Sequence, residues 1–282
     1  MAVSVLIIKK NFWRIFYTAI IGALALTMIL PFLWMISASF KVEMDIFNYP
    51  IEWIPKNLNL NNYPTAWGRR FNFPMYYFNT IKVAILTTIL QVTISTMAGY
   101  AFGKINFTFS KQLFSCYIAT LMIPAQVTLI PLFLMVKSIK LTNTHMGIIL
   151  ISSFSVYGTF LLRQFVRTVP NEMTEAAYID GANHAQIFFR IIIPLVKPAI
   201  ATLAMLKFIW TWNEYLNPLV FLTSERLYTL QLGMRRFSST DYGNEFALIM
   251  AAAVMAILPL MIVFLFFQRY VIEGISLGAV KG

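Results

Sequence analysis

The sequence has few charged residues, one cysteine and two histidines. Asp, Glu, Lys and Arg supply 12% of its 282 residues, about half the share found in soluble globular domains. The single cysteine, Cys116, excludes an internal disulfide and a cysteine-rich metal centre. The two histidines, His145 and His184, lie in different loops, and the sequence has neither an HExxH zinc motif nor a phosphate-binding glycine-rich loop. The sequence therefore predicts neither a catalytic constellation nor a metal site.

The sequence is rich in apolar residues, which form long uninterrupted runs. Hydrophobic residues make up 59% of the chain, and its mean hydropathy is +0.71. Because about 20 consecutive apolar residues cross a bilayer, we interpret each long apolar run as one membrane span. The sequence predicts an all-α integral membrane protein with a single domain over residues 1–282. Its six transmembrane helices are expected at about 15–36, 80–102, 113–136, 145–162, 199–222 and 246–267.

The first apolar run follows the basic residues Lys9, Lys10 and Arg14. The small residues at 37–39 also fit a signal-peptide cleavage site, but the run is longer than the roughly 7–15 apolar residues of a signal peptide. We interpret it as an uncleaved span with a cytoplasmic N-terminus, and six spans return the C-terminus to the same side. The net charge of +11 is scattered over short segments, which favours lipid headgroups over nucleic acid as its partner.

The segment 170–198, between the fourth and fifth predicted spans, is too polar to cross a membrane. Residues 174–198 read TEAAYIDGANHAQIFFRIIIPLVKP. We expect a first helix up to residue 182, a bend at Gly181, where glycine lets the backbone turn at little steric cost, and a second helix over 185–193 with one apolar side. Such a helix–Gly–helix hairpin either docks onto a soluble partner or lies at the membrane surface without one.

The spacing EAA…DGA…F..I.IP…P in this segment resembles the EAA loop of binding-protein-dependent ABC importer permeases. The resemblance is strongest to the carbohydrate-uptake branch that includes the smaller maltose permease subunit. It extends over nearly the whole chain, with NTIKVA from Asn79, AGYAFGKINF from Ala98 and WTWNEYLNP from Trp210. It implies a type I ABC importer permease fold in a bacterial cytoplasmic (inner) membrane, with the hairpin as a cytoplasmic coupling element.

The resemblance also implies partners and a non-enzymatic role. A second homologous permease subunit would complete the pore, two cytoplasmic ATPase subunits would bind ATP and Mg, and an extracytoplasmic solute-binding protein would deliver a disaccharide or oligosaccharide. This chain would bind no cofactor itself. The residues implied to couple to an ATPase subunit are Glu175, Ala176, Ala177, Asp180, Gly181, Ala182, Phe188 and Pro194. A further ATPase contact is implied for Val280, Lys281 and Gly282, where a frayed terminus is the alternative.

Two breaks within the apolar runs are candidates for the translocation pathway. Pro124 and Gln126 lie in the third run, where prolines either line a pathway or produce a static kink. Asn213 and Glu214 lie inside the fifth run, and an ionisable group at that depth is a functional hypothesis by default. The alternative there is an interfacial acid among aromatic residues. Glu214 also supports a second hypothesis, a six-span ion-coupled secondary carrier that needs no ATPase.

Overall fold

The computed structural model describes residues 2–68, 71–238 and 245–279, and every regular element within these ranges is helical. This confirms the all-α class. In chain order the described α-helices are α1 (Ala2–Ser39), α2 (Asn62–Trp67), α3 (Phe73–Lys104), α4 (Ser110–Ala119), α5 (Ala125–Ser138), α6 (His145–Ser152), α7 (Val156–Thr168), α8 (Asn171–Ile179), α9 (His184–Ile187), α10 (Ile193–Leu195), α11 (Lys197–Trp212), α12 (Leu216–Phe221), α13 (Leu230–Met234) and α14 (Phe246–Ala279). A π-helical segment, Phe188–Ile192, joins α9 to α10.

Three stretches are long and apolar enough to cross a membrane unbroken. They are Trp13–Ser39 in α1, the whole of α3, and Phe246–Val271 in α14. Three further candidates are bent helix pairs, so the described residues hold up to six spans when each bent pair is counted as one. The pairs are Ser110–Met122 with Ala125–Ser138, His145–Ser152 with Val156–Thr168, and His184–Leu195 with Lys197–Trp212.

The third predicted span, 113–136, is broken at Pro124. Ile123 has an extended backbone, with φ of −85° and ψ of 118°, because a following proline disfavours the helical conformation. α5 starts immediately after Pro124, and its axis is bent by 105° from the preceding helix. Pro124 therefore interrupts this apolar run, whereas Pro131 lies inside α5.

The fifth predicted span, 199–222, also differs from the structure, since α11 ends at Trp212 and α12 begins only at Leu216. Two polar side chains between these helices bond to backbone groups near the helix ends. The Asn213 amide donates to the Ile209 carbonyl oxygen at 2.9 Å, and a Glu214 carboxylate oxygen accepts the Asn217 backbone N–H at 3.1 Å. Local hydrogen bonds of this kind compete with helix continuation. Hydropathy alone does not register them.

The structure divides into two compact units. The first comprises Met1–Phe71 and Arg236–Ala256. In this unit both carboxylate oxygens of Glu43 accept backbone N–H groups at the start of α14, from Phe246 and Ala247, at 2.8 Å each. A carboxylate at this position satisfies unpaired N–H groups and matches the helix dipole. The single domain over 1–282 stays a prediction.

The second unit comprises Asn72–Arg235 and Ile257–Gly282, and its core is built on α3 packed against α7 and α11. Two glycines bring α3 close to α7. A Cβ on Gly99 would lie 3.0 Å from the Leu162 Cβ, and one on Gly103 would lie 2.9 Å from a methyl group of Val166. Small residues spaced by four thus allow close helix packing. The same contact brings the end of α3 beside the hairpin that follows α7.

Candidate coupling hairpin

The bend of the hairpin is a helix C-cap closed by two hydrogen bonds. α8 ends at Ile179, and Gly181 follows with φ of +81°, in the left-handed region that glycine adopts without cost. The Gly181 N–H donates to the Tyr178 carbonyl oxygen at 3.0 Å, and the Ala182 N–H donates to the Ala177 carbonyl oxygen at 2.9 Å. This pair of bonds is a Schellman motif. Backbone geometry therefore explains the glycine of the DGA sequence.

The second helix of the hairpin begins immediately after this cap. The Asn183 side-chain oxygen accepts the Gln186 backbone N–H at 2.9 Å, and the Gln186 side-chain oxygen accepts the Asn183 backbone N–H at 2.8 Å. This reciprocal arrangement is a capping box. Residues 180–183 thus join two capped helices through a short link with a fixed backbone. The N-x-x-Q spacing is a sequence signal for this cap, although our sequence analysis missed it.

Lys104, the last residue of α3, holds the base of the hairpin. Its ammonium group donates to the Val169 carbonyl oxygen and to the Asn171 side-chain oxygen, both at 2.5 Å. α7 ends at Thr168, and Pro170 directly precedes α8, so the chain turns between the two helices. No local sequence pattern indicates the Lys104 contact, because it joins positions far apart in the chain.

The inner side of the hairpin packs onto the second unit itself, in a cluster of buried apolar side chains. The buried members of this cluster are Tyr100, Val166, Val169, Ile187, Phe188, Ile192 and Val196. Ala177 and Ala182 pack against it half-buried, and the Phe188 ring centroid lies 5.4 Å from that of Tyr100. Three of the residues implied to touch an ATPase, Ala177, Ala182 and Phe188, therefore contact the core of this chain. Their contact with an ATPase subunit stays a prediction.

The outer side of α8 is exposed. Glu175 and Ala176 lie on it, together with Ile179, which is 87% exposed. Glu175 forms no hydrogen bond or ion pair within the described part of the chain, and the acidic residue in the first turn of α8 is Glu172. Glu175 therefore does not cap its own helix. Further exposed apolar side chains of the hairpin are Met173, Tyr178, Phe189 and Leu195. Apolar side chains left exposed around a free carboxylate are typical of an interaction surface.

A shallow cavity of about 350 Å³ lies beside the bend. Its lining comes entirely from the hairpin and includes Asp180 and Gly181 from the link and Gln186, Arg190 and Ile191 from the second helix. It presents an acidic and a basic side chain around an apolar floor. The hairpin thus offers a surface with both a protruding helix face and an adjacent recess.

Two prolines form the corner between the hairpin and α11. Pro194 lies near the end of the continuous helical segment 184–195, and Pro198 lies in the first turn of α11, where a missing N–H breaks no helical bond. Just before this corner, the Ile193 N–H donates to the Phe188 carbonyl oxygen, the wider spacing of a π-helix. The helix axis turns by 77° here. Pro194 is therefore a corner residue that joins the hairpin to the next span.

The four candidate pathway residues lie at two separate helix ends. Pro124 and Gln126 are exposed at the start of α5, whereas Asn213 and Glu214 follow α11. No hydrogen bond joins the two pairs in the described ranges. A cavity of about 40 Å³ lies beside Glu214, and Lys207 of α11 also lines it. The terminal candidates Val280, Lys281 and Gly282 lie outside the described residues.

Residues 91–276, which include the hairpin and its corner, match the family described as binding-protein-dependent transport system inner membrane component. The chain belongs to this family. The match covers well over half of the chain, and it confirms the resemblance drawn from the EAA and DGA spacing.

Relatives of this permease extend the match to almost its full length. It is 34% identical over 261 residues to the arabinooligosaccharides transport system permease protein AraQ of Halalkalibacterium halodurans, covering 92% of this chain and 93% of that protein. It is 33% identical over 269 residues to the melibiose/raffinose/stachyose import permease protein MelC of Bacillus subtilis, covering 94% of this chain and 96% of that protein.

A solved structure shows the fold of the permease. A chain from the crystal structure of a bacterial ABC transporter involved in the import of the acidic polysaccharide alginate superposes with a TM-score of 0.83 at 24% identity. The superposition covers 92% of this chain and 96% of that chain. The permease therefore has the type I ABC importer permease fold that its sequence predicted.

Proposed function

We propose that this permease is one of two transmembrane subunits of an ATP-driven saccharide importer, and that its 175–194 hairpin couples it to a cytoplasmic ATPase subunit. The observation that carries the proposal is the two-sided hairpin. Its inner side is packed onto the core of the second unit, and on its outer side Ile179 is exposed and Glu175 forms no hydrogen bond or ion pair with the described residues. A fixed element with an unoccupied outer face is suited to receive force from a soluble partner.

The proposed solute is a disaccharide or an oligosaccharide. AraQ is named for arabinooligosaccharides, MelC for melibiose, raffinose and stachyose, and the solved transporter for alginate. These names share a chemical class and differ in the individual sugar, so the class alone carries over. The family description supports a solute-binding protein as the donor of that sugar.

The remaining partners and the orientation belong to the same proposal. A homologous permease subunit completes the pore, and two ATPase subunits bind ATP and Mg on the cytoplasmic side. Both termini lie in the cytoplasm of a bacterial cell, which agrees with the basic residues that precede the first span. The chain itself catalyses no reaction in this proposal, because the ATPase subunits hydrolyse ATP.

Reconstitution of the purified complex tests the proposal. ATPase subunits are expected to co-purify with this permease, and ATP hydrolysis in proteoliposomes is expected to rise when the binding protein is loaded with arabinotriose, melibiose or raffinose. Absence of a co-purifying ATPase, together with ion-gradient-driven sugar uptake by this chain alone, would support the secondary carrier with Glu214 instead. The structure favours the importer, because the Lys207 ammonium lines the same cavity as Glu214 and opposes a coupling cation there.

Charge reversal at Glu175 tests the docking face. Glu175→Lys is expected to lower sugar-stimulated ATP hydrolysis by about tenfold or more, since an interfacial carboxylate paired with a basic residue is replaced by a like charge. Membrane insertion is expected to be unchanged, because Glu175 is exposed and forms no hydrogen bond or ion pair within the described ranges. Glu172→Lys is the matched control. It disturbs α8 itself more, since Glu172 lies in the first turn near the positive end of the helix dipole. Equal losses in the two variants would contradict a specific contact at Glu175.

A further inference from the structure

The bend of the hairpin carries a side-chain contact in addition to its backbone bonds. Tyr178 lies in the last turn of α8, and His184 is the first residue of α9. The Tyr178 hydroxyl lies 2.5 Å from the His184 Nδ1 atom, and the two rings meet edge-on with centroids 5.3 Å apart. We call this contact the clasp. It joins the two helices across the link of residues 180–183, and neither residue is among those that the resemblance assigns to ATPase contact.

The same nitrogen of His184 also contacts α3. The hydroxyl of Tyr100 lies 3.4 Å from His184 Nδ1, a longer and weaker contact than that of Tyr178. Tyr100 is buried, whereas Tyr178 and His184 are exposed. One turn further along α3, Lys104 binds the base of the hairpin. α3 therefore contacts the hairpin both at its base and beside its bend, and His184 is the contact beside the bend.

The chemistry of the three side chains gives the clasp a direction. A neutral imidazole has one N–H and one acceptor nitrogen, and a phenol hydroxyl can donate to that acceptor. Two hydroxyl groups converge on His184 Nδ1, and in the described ranges no carboxylate lies within 4 Å of the ring nitrogens. The proton of the neutral ring is therefore assigned to Nε2. Tyr178 donates to Nδ1, and an acceptor at this position is what the clasp requires.

The clasp spans the one part of the link that the two backbone motifs leave open. The Schellman motif ends at the N–H of Ala182, and the capping box begins at the N–H of Asn183. The two backbone torsions of Ala182 lie between these groups, so neither motif restrains them, and they set the angle between α8 and α9. In the described part of the chain no other hydrogen bond joins α8 to α9. The clasp closes a ring over Ala182 and restrains that angle.

We propose that Tyr178 and His184 are positioning residues for coupling, and that their hydrogen bond fixes the angle at which α8 meets α9 and α3. A push on the exposed face of α8 then reaches α3 through His184 and Tyr100, in addition to the contact of Lys104. Without the clasp, rotation about Ala182 absorbs part of that push. The inference rests on the proposed coupling of the hairpin to an ATPase subunit and deepens it, because it names residues that transmit the movement.

Removal of one hydroxyl tests the clasp in the complete importer. Tyr178→Phe keeps the edge-on ring contact and removes the hydrogen bond. With binding protein loaded with arabinotriose, melibiose or raffinose, it is expected to lower the sugar transported per ATP by about twofold to tenfold, the factor that one net hydrogen bond gives. Tyr157→Phe is the matched control and is expected to transport normally. Tyr157 is 40% exposed against 43% for Tyr178, also lies edge-on to an aromatic ring, and forms no hydrogen bond in the described ranges.

Two substitutions of His184 separate the hydrogen bond from the stability of the helix. His184→Asn keeps an acceptor, because the asparagine side-chain oxygen and the imidazole Nδ1 are each bonded to Cγ. His184→Leu has a similar shape and no acceptor. Leucine is the better helix former, so a role confined to the start of α9 would rank the leucine variant ahead of the asparagine variant. The clasp predicts the reverse order in sugar transported per ATP.

Hydrogen exchange of the backbone N–H groups of residues 181–186 measures the clasp without transport. Exchange is expected to quicken by about twofold to tenfold in Tyr178→Phe and in His184→Leu, and to stay near the native rate in His184→Asn. Unchanged exchange in Tyr178→Phe, native transport per ATP despite faster exchange, or leucine ahead of asparagine would each overturn the inference. A complex in which no sugar stimulates ATP hydrolysis refutes the proposed function and, with it, the coupling role of the clasp, whereas exchange still reports whether the clasp forms.

Discussion

Substitutions at Gly181 show whether the hairpin acts through the shape of its bend. Gly181 has φ of +81°, and no atom lies within 4 Å of the place where a Cβ would stand. An alanine there meets no neighbour in the chain, so its effect is the backbone cost of a left-handed conformation, about 1–2 kcal/mol. Asparagine enters this region more readily than alanine although its side chain is larger. Proline is the most disruptive, because its φ is fixed near −65° and it lacks the N–H that bonds to Tyr178.

We call the bend closed when residues 177–182 form the two hydrogen bonds of the Schellman motif. The expected loss of coupling follows from the fraction of molecules in which the bend is closed. Only a closed bend holds the outer face of α8 in the orientation seen here. A cost of 2 kcal/mol lowers the population of closed bends, and with it the docking of the ATPase, by a factor of up to about 30. Coupling is therefore expected to be highest with the native Gly181 and to fall through the asparagine, alanine, valine and proline variants, in that order. The amount of permease in the membrane is expected to stay constant, since Gly181 is exposed and a Cβ there would meet nothing within 4 Å.

The assay is sugar-stimulated ATP hydrolysis and sugar transported per ATP in the reconstituted importer, normalised to the permease inserted. The decisive comparison is between asparagine and alanine. Backbone preference places asparagine ahead of alanine, whereas a partner surface that fills the space beside Gly181 would favour the smaller alanine. An order that follows side-chain volume would therefore refute the argument from backbone shape.

Two further predictions concern packing and capping elsewhere in the chain. Gly233→Ala is expected to destabilise the permease by about 1–3 kcal/mol, because the added Cβ would overlap the ring of Tyr76, whose hydroxyl donates to Glu225 at 2.7 Å. Thermal unfolding measures the loss of stability. Gly22→Ala is the control, because a Cβ at that position meets nothing within 4 Å. Glu43→Gln is expected to cost about 1 kcal/mol by removing one of two carboxylate acceptors, seen as faster hydrogen exchange in the first turn of α14; unchanged exchange would contradict the cap.

The parts of the hairpin that the sequence predicts are those fixed by local backbone chemistry. Gly181 marks the bend because few other residues adopt its φ, and Pro194 and Pro198 mark the corner because neither carries an N–H. The same reasoning locates the break at Pro124. In each case the cause lies within a few residues of the effect, so a single sequence suffices.

The parts that sequence analysis missed depend on distant partners or on side-chain capping. The packing of Ala177 and Phe188 against the cluster around Tyr100 is not visible in the sequence, because it joins residues far apart in the chain. The anchoring of the hairpin by Lys104 is non-local in the same way. The end of α11 at Trp212 is invisible to hydropathy, because the residues that follow are apolar on average and the caps consist of two side-chain hydrogen bonds.

The hairpin and the cavity beside Glu214 lie near opposite ends of one helix, which gives a physical route between them. α11 runs from the proline corner at Lys197 to Trp212, and its 16 residues span about 24 Å at 1.5 Å per residue. Because the inner face of the hairpin also packs on α3 and α7, and close-packed interiors transmit displacement, a push on its outer face is expected to move α3, α7 and α11 together. A tilt of about 10° at the corner would displace the far end of a helix of this length by about 4 Å. That displacement exceeds the diameter of a water molecule, so a modest movement of the hairpin is sufficient to open or close a cavity of about 40 Å³.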